Sequence, residues 1–491
     1  MVLAGPMAAS ATDPAYPCDV KIGILVVAYN AVSTLTEVLD RIPSDFAGHI
    51  AEVLVQDDAS RDATYLVALG YQQAGSELPL TVIRHPANKG YGGNQKAGYR
   101  YAIDHGWDIA VLLHGDGQYA PELLPEMVAP IVRGEADAVL GSRMMERGRA
   151  RAGGMPLYKY AGNRVLTRFQ NAIAGLALTE WHSGYRAYRV SSLESIAFEN
   201  NSDGFNFDTQ IILQLHDAGM RIGEIPIPTY YGDEICYVNG LGYARDVARD
   251  TVRYRLGKAG FGAGELGHVD DGYALKMSSG SSHSRVLAWM SERKPGRVLD
   301  VGCSSGLLAE QLRSLGHHVT GVDAIELDGV RDRTDRFCRA DVEEGLPDEL
   351  GDSFDTVIAA DVLEHVRDPE RLLAELAARL SPSGRMFVSV PNFGHWYPRS
   401  RVAVGKFGYD QRGILDKTHI RFFTLRTFRS LIARSGMRLM REEHTGLPLD
   451  SLGARGGRIP TAMRAADQVA ANVRPQLFAY QFVAELAHAA R

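Results

Sequence analysis

The stretch "VLLHGDGQYAPE", residues 111–122, joins a run of apolar residues to a cluster of polar ones. The apolar run is typical of a buried strand, and His114, Asp116 and Gln118 follow it closely. Three earlier segments change from apolar to polar in the same way: "VVAYN" (26–30), "VQDDASRDAT" (55–64) and "NKGYGGNQKAGYRYA" (88–102). Ligands of parallel α/β sheets lie at the carboxyl ends of the strands. The four clusters therefore predict one binding site at one edge of a sheet.

The segments between these clusters alternate between β-rich runs and amphipathic runs. The β-rich runs predict strands over 21–29, 52–58, 80–85, 108–116 and 137–143. The amphipathic runs predict helices over 33–42, 61–74, 92–106 and 121–134. Alternation of this kind predicts an α/β fold with a parallel sheet covered by helices on both faces.

A glycine-rich segment, "GKAGFGAGELGHVDDG" (257–272), separates this half from a second alternating series. Such composition without periodicity is typical of a linker. We therefore predict a disordered leader over 1–19, a first domain over 20–258, a linker over 259–274 and a second α/β domain over 275–491.

Length and composition limit the class of protein. A chain of 491 residues suggests two to three domains, and 45% hydrophobic with 23% charged residues is typical of globular proteins. A net charge of -6 argues against nucleic-acid binding. The four scattered cysteines contain no CxxC pair, which argues against a structural zinc site or a disulfide framework. Without an apolar run of about 18 residues, we expect a cytoplasmic protein whose membrane contact, if any, is peripheral at the inner face.

The second domain begins with "VLDVGCSSG" (298–306), a strand followed by a glycine turn. Gly302 and Gly306 allow the backbone to approach a ligand closely. The next strand ends in Asp323, where a carboxylate can accept both hydroxyls of a ribose, and Asp341 follows at a position suited to an adenine amino group.

These motifs, with Asp361 in "FDTVIAADVLEHVRDPERLL", resemble the class I S-adenosylmethionine-dependent methyltransferases over about residues 275–445. The resemblance implies a Rossmann-like fold and S-adenosylmethionine as cofactor. It implies the following cofactor-binding residues: Asp300, Gly302, Gly306, Asp323, Asp341 and Asp361. Ser304 stands where the family usually has glycine, and its small side chain should preserve binding.

The methyl acceptor is expected to meet a long insert after the fifth strand, residues 390–423. A hydroxyl acceptor benefits from a general base, so His365 and His419 are the catalytic candidates and O-methylation is the expected reaction. Each histidine could instead cap a turn or pack on an aromatic ring, and the insert could form an acceptor pocket without a catalytic histidine.

The four clusters of the first domain, together with "GSRM" (141–144), "EWHSGYRAY" (180–188) and "GFNFDTQIILQLHDAGMRIGEIPI" (204–227), resemble family 2 glycosyltransferases with a GT-A fold. Within that family they look most like the dolichyl-phosphate mannose and glucose synthases. The resemblance implies inverting transfer from a nucleotide-diphosphate sugar. The QxxRW signature of polymer synthases is absent, which favours transfer of a single sugar.

The resemblance also implies a donor site. Tyr29, Asp57 and Asp58 would line the nucleoside pocket, and Lys89 would approach the base or the phosphate. The family's "PAYNE" is "VAYNA" in this chain, so the identity of the nucleotide stays open.

The family's metal site corresponds to the stretch quoted at the start. Asp116 and Gln118 would hold a divalent cation on the diphosphate, and His114 replaces the first Asp of the usual pair. Mg²⁺ binds oxygen ligands and keeps waters, whereas Mn²⁺ also accepts an imidazole. His114 would therefore ligate the metal or hydrogen-bond a phosphate.

Two further groups of residues bear on the sugar acceptor. A hydroxyl acceptor needs a base, whereas a phosphate acceptor needs none. The candidate bases are the carboxylates of the downstream motifs, Glu180, Asp208 and Glu224. Guanidinium groups bind phosphate well, so the arginines of the loop "GSRMMERGRARAGG" could bind a phosphate acceptor. Alternatively, the loop is simply exposed to solvent. The arginines are Arg143, Arg147, Arg149 and Arg151.

The sequence thus predicts a bifunctional enzyme that transfers a sugar to a polyprenyl phosphate or a glycan and also transfers a methyl group in the same pathway. Two alternatives stay open. The chain could modify a diffusible glycan or secondary metabolite, or its first domain could be a nucleotide-binding regulator with only the methyltransferase active.

Overall fold

The computed structural model describes residues 17, 19–75, 77–229, 239–262, 266, 281–449 and 461–489. The chain divides into two compact units, Met1–Arg255 with Glu265–His268 and Leu256–Gly264 with Val269–Arg491. Cys18, Cys236, nearly all of the predicted leader and most of the predicted linker lie outside the described residues. The domain boundaries stay a prediction.

The described part of the first unit contains a seven-stranded sheet in the order β3-β2-β1-β4-β6-β5-β7. Its strands are β1 (Ile22–Ala28), β2 (Ile50–Asp57), β3 (Leu80–Arg84), β4 (Ile109–His114), β5 (Ala138–Ser142), β6 (Arg186–Arg189) and β7 (Ile222–Pro226). Its helices are α1 (Leu35–Asp40), α2 (Ser44–Ala47), α3 (Thr64–Gln73), α4 (Tyr91–Asp104), α5 (Leu124–Val132), α6 (Arg149–Ala152), α7 (Leu157–Ala174), α8 (Val190–Glu194), α9 (Phe207–Asp217) and α10 (Gly240–Lys258), of which the residues up to Arg255 belong to this unit.

Alternate residues of the central strands supply two separate cores. In β1, Ile24 and Val26 belong to one buried cluster, and Leu25 belongs to the other. β4 does the same with Val111 and Leu112. Because successive side chains of a strand point to opposite faces, the sheet is covered on both sides, as the continuous apolar runs predict.

The sheet is mixed rather than parallel, which corrects the sequence-based expectation. β6 lies between β4 and β5 and runs antiparallel to both, while β5 and β7 are parallel. The direction of a strand depends on the path by which the chain returns to the sheet. The apolar pattern of a strand as short as β6 does not indicate its direction in the sheet.

The described part of the second unit contains a seven-stranded sheet in the order β10-β9-β8-β11-β12-β14-β13. Its strands are β8 (Arg297–Val301), β9 (His318–Asp323), β10 (Arg336–Arg339), β11 (Phe354–Ala360), β12 (Leu380–Pro391), β13 (Met437–Thr445) and β14 (Gln481–His488). Its helices are α11 (Ser282–Ser291), α12 (Leu307–Ser314), α13 (Val330–Arg333), α14 (Pro369–Arg379), α15 (Trp396–Ala403), α16 (Leu425–Arg434), α17 (Thr461–Val473) and α18 (Pro475–Phe478).

Strands β8 to β12 are parallel, and β14 pairs antiparallel with both β12 and β13. Strands β13 and β14 were not predicted from the sequence.

Among the described residues of the chain, no helix combines the length and the apolar character that crossing a bilayer requires.

Candidate active sites

Three strands of the first unit bring the predicted donor-site residues to one edge. In the sheet register, Ala28 of β1 is level with Asp57 of β2, and Val27 is level with His114 of β4. Tyr29 follows directly after β1 and is half-buried. The polar clusters that end separate strands in the sequence therefore lie side by side in the fold.

Both aspartates at the end of β2 are buried and have partners. Asp57 accepts hydrogen bonds from the Ser60 backbone N–H at 3.3 Å and lies 3.2 Å from Arg84 Nε. Asp58 accepts from the backbone N–H groups of Lys89 (2.7 Å) and Gly90 (3.1 Å). Asp58 thus fixes the loop that leads into α4, while the Lys89 side chain is exposed.

The imidazole of His114 lies between two tyrosines. Its ring packs edge-on against Tyr91 and Tyr119, with ring centroids 5.5 and 5.0 Å away. Gly184 approaches so closely that a Cβ there would lie 2.6 Å from the imidazole. Burial lowers the pKa of His114, and the nearby Asp116 opposes that shift only in part. A neutral imidazole is therefore expected, which is the form that can ligate a metal.

Asp116 is exposed at the end of β4, and its Oδ1 accepts a hydrogen bond from the Gln118 backbone N–H at 3.0 Å. The turn therefore presents a carboxylate to solvent, close in sequence to His114 and to the Gln118 amide. A donor set of one carboxylate, one amide and one neutral imidazole fits Mn²⁺, and its oxygens alone fit Mg²⁺.

Tyr91 links His114 to Asp208, a connection that the sequence did not reveal. The Tyr91 hydroxyl donates to Asp208 Oδ2 at 2.9 Å and lies 3.3 Å from His114 Nε2. Arg186 Nη2 lies 3.5 Å from the same Asp208 oxygen, and Gln95 donates to Oδ1 at 3.3 Å. Asp208 is therefore the centre of a buried network. The only sequence signal for Tyr91 was its place in a glycine-rich segment after β3.

Glu180 and Arg143 form a buried ion pair. Arg143 donates its Nε to Glu180 Oε1 at 3.1 Å and its backbone N–H to Oε2 at 2.7 Å, and its Nη2 also contacts Oε1. Asn163 adds a hydrogen bond of 2.7 Å. Burial alone would raise the pKa of Glu180, but the charge and hydrogen bonds of Arg143 outweigh it and lower that pKa.

Of the four arginines predicted to bind a phosphate acceptor, one is buried and three are exposed. Arg143 is buried because it compensates the Glu180 charge. Arg147, Arg149 and Arg151 are exposed, the last two on the short helix α6. Arg149 pairs with Glu146 at 2.6 Å on the surface.

Glu224 of β7 accepts from the Thr179 backbone N–H at 2.8 Å and from the Thr179 hydroxyl at 2.7 Å. Burial raises the pKa of Glu224 to about 6. Its hydrogen bonds hold the segment that begins the "EWHSGYRAY" motif.

In the second unit, the turn after β8 has the backbone geometry that its glycines predict. Gly302 and Gly306 have φ of 70° and 79°, and Ser304 adopts a φ of 51°. A Cβ on Gly302 would lie 2.7 Å from a methyl group of Val362. A cleft beside this turn is lined by His283, Asp300, Gly302, Cys303, Leu307, Leu308 and Ala360.

Asp300 and Asp323 lie near each other at this turn. Burial, with a contribution from Asp323, raises the pKa of Asp300 to about 7. Asp323 accepts from the backbone N–H groups of Ser304 (2.8 Å) and Ile325 (3.1 Å), which orients its carboxylate. Asp341 is exposed and accepts from the Glu343 backbone N–H at 2.9 Å.

Asp361 follows β11 with a positive φ of 58°, a conformation that costs energy for a residue other than glycine. Its carboxylate accepts from the Ser389 hydroxyl at 2.5 Å and from Gln481 Nε2 at 2.8 and 2.9 Å. β14 supplies Gln481, so a strand that the sequence did not predict holds this carboxylate in place.

The two predicted histidines come together with Glu364. The rings of His365 and His419 meet edge to face with centroids 4.9 Å apart, and His419 Nε2 lies 4.0 Å from Glu364 Oε1. One donor atom from each of the three residues lies within 4.8 Å of the others. Glu364 and His419 are buried, and His365 is exposed.

Two separate ranges of the chain match known protein families. Residues 23–197 match the family model of glycosyl transferase family 2, and residues 277–442 match a methyltransferase domain model. An undecaprenyl-phosphate mannosyltransferase of Micrococcus luteus is 30% identical over 204 residues, which cover 41% of this chain and 81% of that protein. A ubiquinone biosynthesis O-methyltransferase of Xylella fastidiosa is 38% identical over 116 residues, 22% of this chain and 47% of that protein.

A solved structure of glucosyl-3-phosphoglycerate synthase from Mycobacterium tuberculosis with uridine diphosphate covers 52% of this chain and 84% of its own, at 19% identity and a TM-score of 0.37.

The chain belongs to glycosyl transferase family 2 and carries a methyltransferase domain after it. It is an enzyme with a glycosyltransferase domain and an S-adenosylmethionine-dependent methyltransferase domain. The predicted family, enzyme class and fold class are thereby confirmed.

Proposed function

We propose that the first domain transfers a single sugar, with inversion, from a nucleotide-diphosphate sugar to a polyprenyl phosphate, and that this transfer depends on a divalent cation. The choice of acceptor rests on the observation that two of the three candidate bases are paired with buried arginines. Glu180 is engaged by Arg143, and Asp208 lies beside Arg186. A hydroxyl acceptor would need a free base, whereas a phosphate is already an anion and needs none.

The donor site is proposed at the edge where β1, β2 and β4 end. Tyr29 and Asp57 would bind the nucleoside, and Asp58 would hold the loop that carries Lys89. Asp116 and Gln118, with His114, would bind the cation, which neutralises the charge that develops on the diphosphate leaving group. The relative from Micrococcus luteus is named as an undecaprenyl-phosphate mannosyltransferase, which supports this acceptor class.

The acceptor phosphate is proposed to bind the exposed arginines Arg147 and Arg149. Transfer from UDP- and GDP-sugars to a detergent-solubilised polyprenyl phosphate tests this directly. The double variant Arg147→Ala/Arg149→Ala should raise the acceptor KM at least about tenfold, since a charge-assisted hydrogen bond contributes about 1.5–3 kcal/mol. Donor binding, measured by calorimetry, should stay unchanged.

Arg133→Ala is the matched control, because Arg133 is a half-exposed arginine paired with Glu135 on the surface of the same unit. An acceptor KM that is the same in the double variant and in the native chain would exclude this phosphate site. Transfer to a diffusible glycan, with none to polyprenyl phosphate, would contradict the proposed acceptor. Donor binding without turnover on either acceptor would favour a regulatory first domain.

The second domain is proposed to bind S-adenosylmethionine at the β8 turn and to methylate a hydroxyl group in the same pathway. Gly302 and Gly306 would let the backbone contact the cofactor, and Asp323 would accept the ribose hydroxyls. Asp323→Ala should weaken S-adenosylhomocysteine binding in calorimetry by at least about tenfold. Asp335→Ala is the control, because Asp335 pairs with Arg313 on the surface of the same unit.

The exposed face of α7 is proposed as the contact with the membrane that holds the acceptor. Leu157, Tyr158 and Val165 are 65%, 74% and 65% exposed. Residues 147–172 carry six Lys and Arg and no Asp or Glu, although the whole chain has a net charge of -6. An exposed apolar face with basic neighbours suits a bilayer that contains anionic lipids.

Sedimentation with phosphatidylcholine vesicles, with and without phosphatidylglycerol, tests this contact. The native chain should bind only the anionic vesicles, and Val165→Glu should abolish binding while leaving transfer in detergent unchanged. Leu66→Glu is the control, because Leu66 is equally exposed on α3. Equal vesicle binding by Val165→Glu and by the control would exclude α7 as the contact.

A further inference from the structure

We propose that Glu364, His365 and His419 form a divalent-cation site at the methyl-acceptor side of the second unit. The ligand class is a cation that accepts two imidazoles and one carboxylate, such as Zn²⁺ or Mn²⁺. The site is separate from the cation site proposed in the glycosyltransferase domain, and none of its three residues belongs to that domain.

The orientation of both imidazoles supports a metal site. His365 Nδ1 lies 3.2 Å from the carbonyl oxygen of Thr418, and His419 Nδ1 lies 3.2 Å from that of Ile414. A carbonyl oxygen only accepts, so each Nδ1 must carry the proton. Both Nε2 atoms then present a lone pair, and a carbonyl partner on the other nitrogen is the usual support of a metal-bound histidine.

The distances suit a cation after a small adjustment. His419 Nε2 and Glu364 Oε1 are 4.0 Å apart, which is too long for a hydrogen bond. Two ligands that each lie about 2.1 Å from one cation can be at most about 4.2 Å apart, and three such ligands lie closer. One ligand atom from each of the three residues already lies within 4.8 Å of the others.

Two of the three proposed ligands lie inside the fold: Glu364 and His419 are buried, and His365 is exposed. A cation bound between them would use the carboxylate and both imidazoles.

The backbone holds the three residues together across the sequence. Glu364 and His365 lie in a single turn, Leu363–His365. The Glu364 carbonyl accepts from the backbone N–H groups of Ile420 (2.9 Å) and Arg421 (3.0 Å). This pairing brings His419 to the turn, so the ligand set is preorganised.

Such a cation has a clear use in O-methylation. An acceptor hydroxyl bound to it would lose its proton to solvent more easily, because a divalent cation lowers the pKa of a bound oxygen. The oxygen then bonds to the methyl carbon of S-adenosylmethionine as the carbon–sulfur bond breaks, and the electron pair of that bond stays on sulfur. The two histidines would act through the cation rather than as separate bases. This role rests on the proposed methyl transfer, whereas the metal site itself does not.

Binding of Co²⁺ alone, followed by visible absorption and calorimetry on the full chain, tests the site. The chain is first treated with a chelator and carries Asp116→Ala, which removes the cation site of the other domain. We expect one equivalent of Co²⁺ to bind and His419→Ala to weaken binding at least about 100-fold, since loss of even an outer-shell partner costs about 10–100-fold. Glu364→Gln should weaken binding less, because the amide keeps one oxygen ligand.

His318→Ala is the matched control and should bind Co²⁺ like its parent, because His318 is exposed at the start of β9. Unchanged S-adenosylhomocysteine binding would show that His419→Ala is folded. No Co²⁺ binding by the Asp116→Ala chain, or equal binding after His419→Ala, would overturn the proposal. Neither result requires methyl transfer, so failure of the metal site and failure of the proposed function are distinguishable.

Discussion

Arg143→Met should destabilise the first unit strongly. The Arg143 and Glu180 side chains are 9% and 0% exposed, so removing the guanidinium leaves a buried carboxylate without its cation. Of its present partners, Glu180 would keep the backbone N–H of residue 143 and the Asn163 amide, each at 2.7 Å. Breaking a buried pair in this way costs about 3–5 kcal/mol. For a unit of this size, that corresponds to a fall in Tm of roughly 10 °C.

Differential scanning calorimetry measures the effect, and the transition of the second unit serves as an internal reference. The double variant Arg143→Met/Glu180→Leu should recover most of the loss, because replacing both charges leaves no uncompensated ion. A fall of less than about 1 kcal/mol in the single variant would mean that the buried Glu180 does not need the Arg143 guanidinium.

The pH dependence gives a second check. Arg143 lowers the pKa of Glu180 despite its burial, so the stabilisation by this pair is present above the unfolded pKa of about 4.3 and is lost as the pH falls through the folded pKa. The difference between the native chain and Arg143→Met should therefore shrink below about pH 4. A difference that grows in acid would contradict the assigned ionisation.

Three further results are expected. Gly184→Ala should displace the His114 ring, lower the stability of the first unit by about 1–3 kcal/mol and reduce kcat for sugar transfer; Gly162→Ala, which has open space around it, should not lower stability in the same melts. Asp300→Asn should become more stabilising than the native residue by up to about 4 kcal/mol as the pH rises from about 4 to 8, because the raised folded pKa of about 7 makes ionisation costly; hydrogen exchange in β8 measures this, and a difference independent of pH would contradict it. Tyr91→Phe should lower the stability of the first unit by about 0.5–1.5 kcal/mol and should reduce the stimulation of sugar transfer by the cation, because it removes the hydroxyl next to the His114 imidazole. Unchanged transfer kinetics would contradict a link between Tyr91 and the cation site.

Much of the fold followed from local patterns. The run "IGILVVA" predicts β1 because every second residue faces one of two covered sides, and the structure places that strand at Ile22–Ala28. The turn after β8 was predicted from its glycines, because few other residues tolerate such a backbone conformation. β13 and β14 were missed, because their mixed sequences resemble other segments until β14 pairs with β12 and β13 pairs with β14.

The sequence predicted where the candidate sites lie in the fold, but not which side chains contact one another there. The clusters that end β1, β2 and β4 had to meet, because parallel strands share an edge. Nothing local in the sequence indicated that Arg143 would turn inward to Glu180, 37 residues away, while Arg147 stays exposed. The role of Tyr91 was equally hidden, because its partner Asp208 lies 117 residues further along the chain.

The sequence was sufficient to predict two α/β domains, their order, the sheet edges that carry polar residues and the glycosyltransferase and methyltransferase families. These features depend on apolar periodicity and on glycine turns, which are properties of neighbouring residues. The tertiary structure alone decided which charges neutralise one another and that Glu364 and His365 meet His419. Those contacts depend on how distant segments pack, because the electrostatic interaction of two groups is determined by their separation and burial rather than by their spacing in the chain. The stretch "VLLHGDGQYAPE" shows both: its pattern predicts a site at the end of β4, and the fold places His114 between two tyrosines and leaves Asp116 exposed.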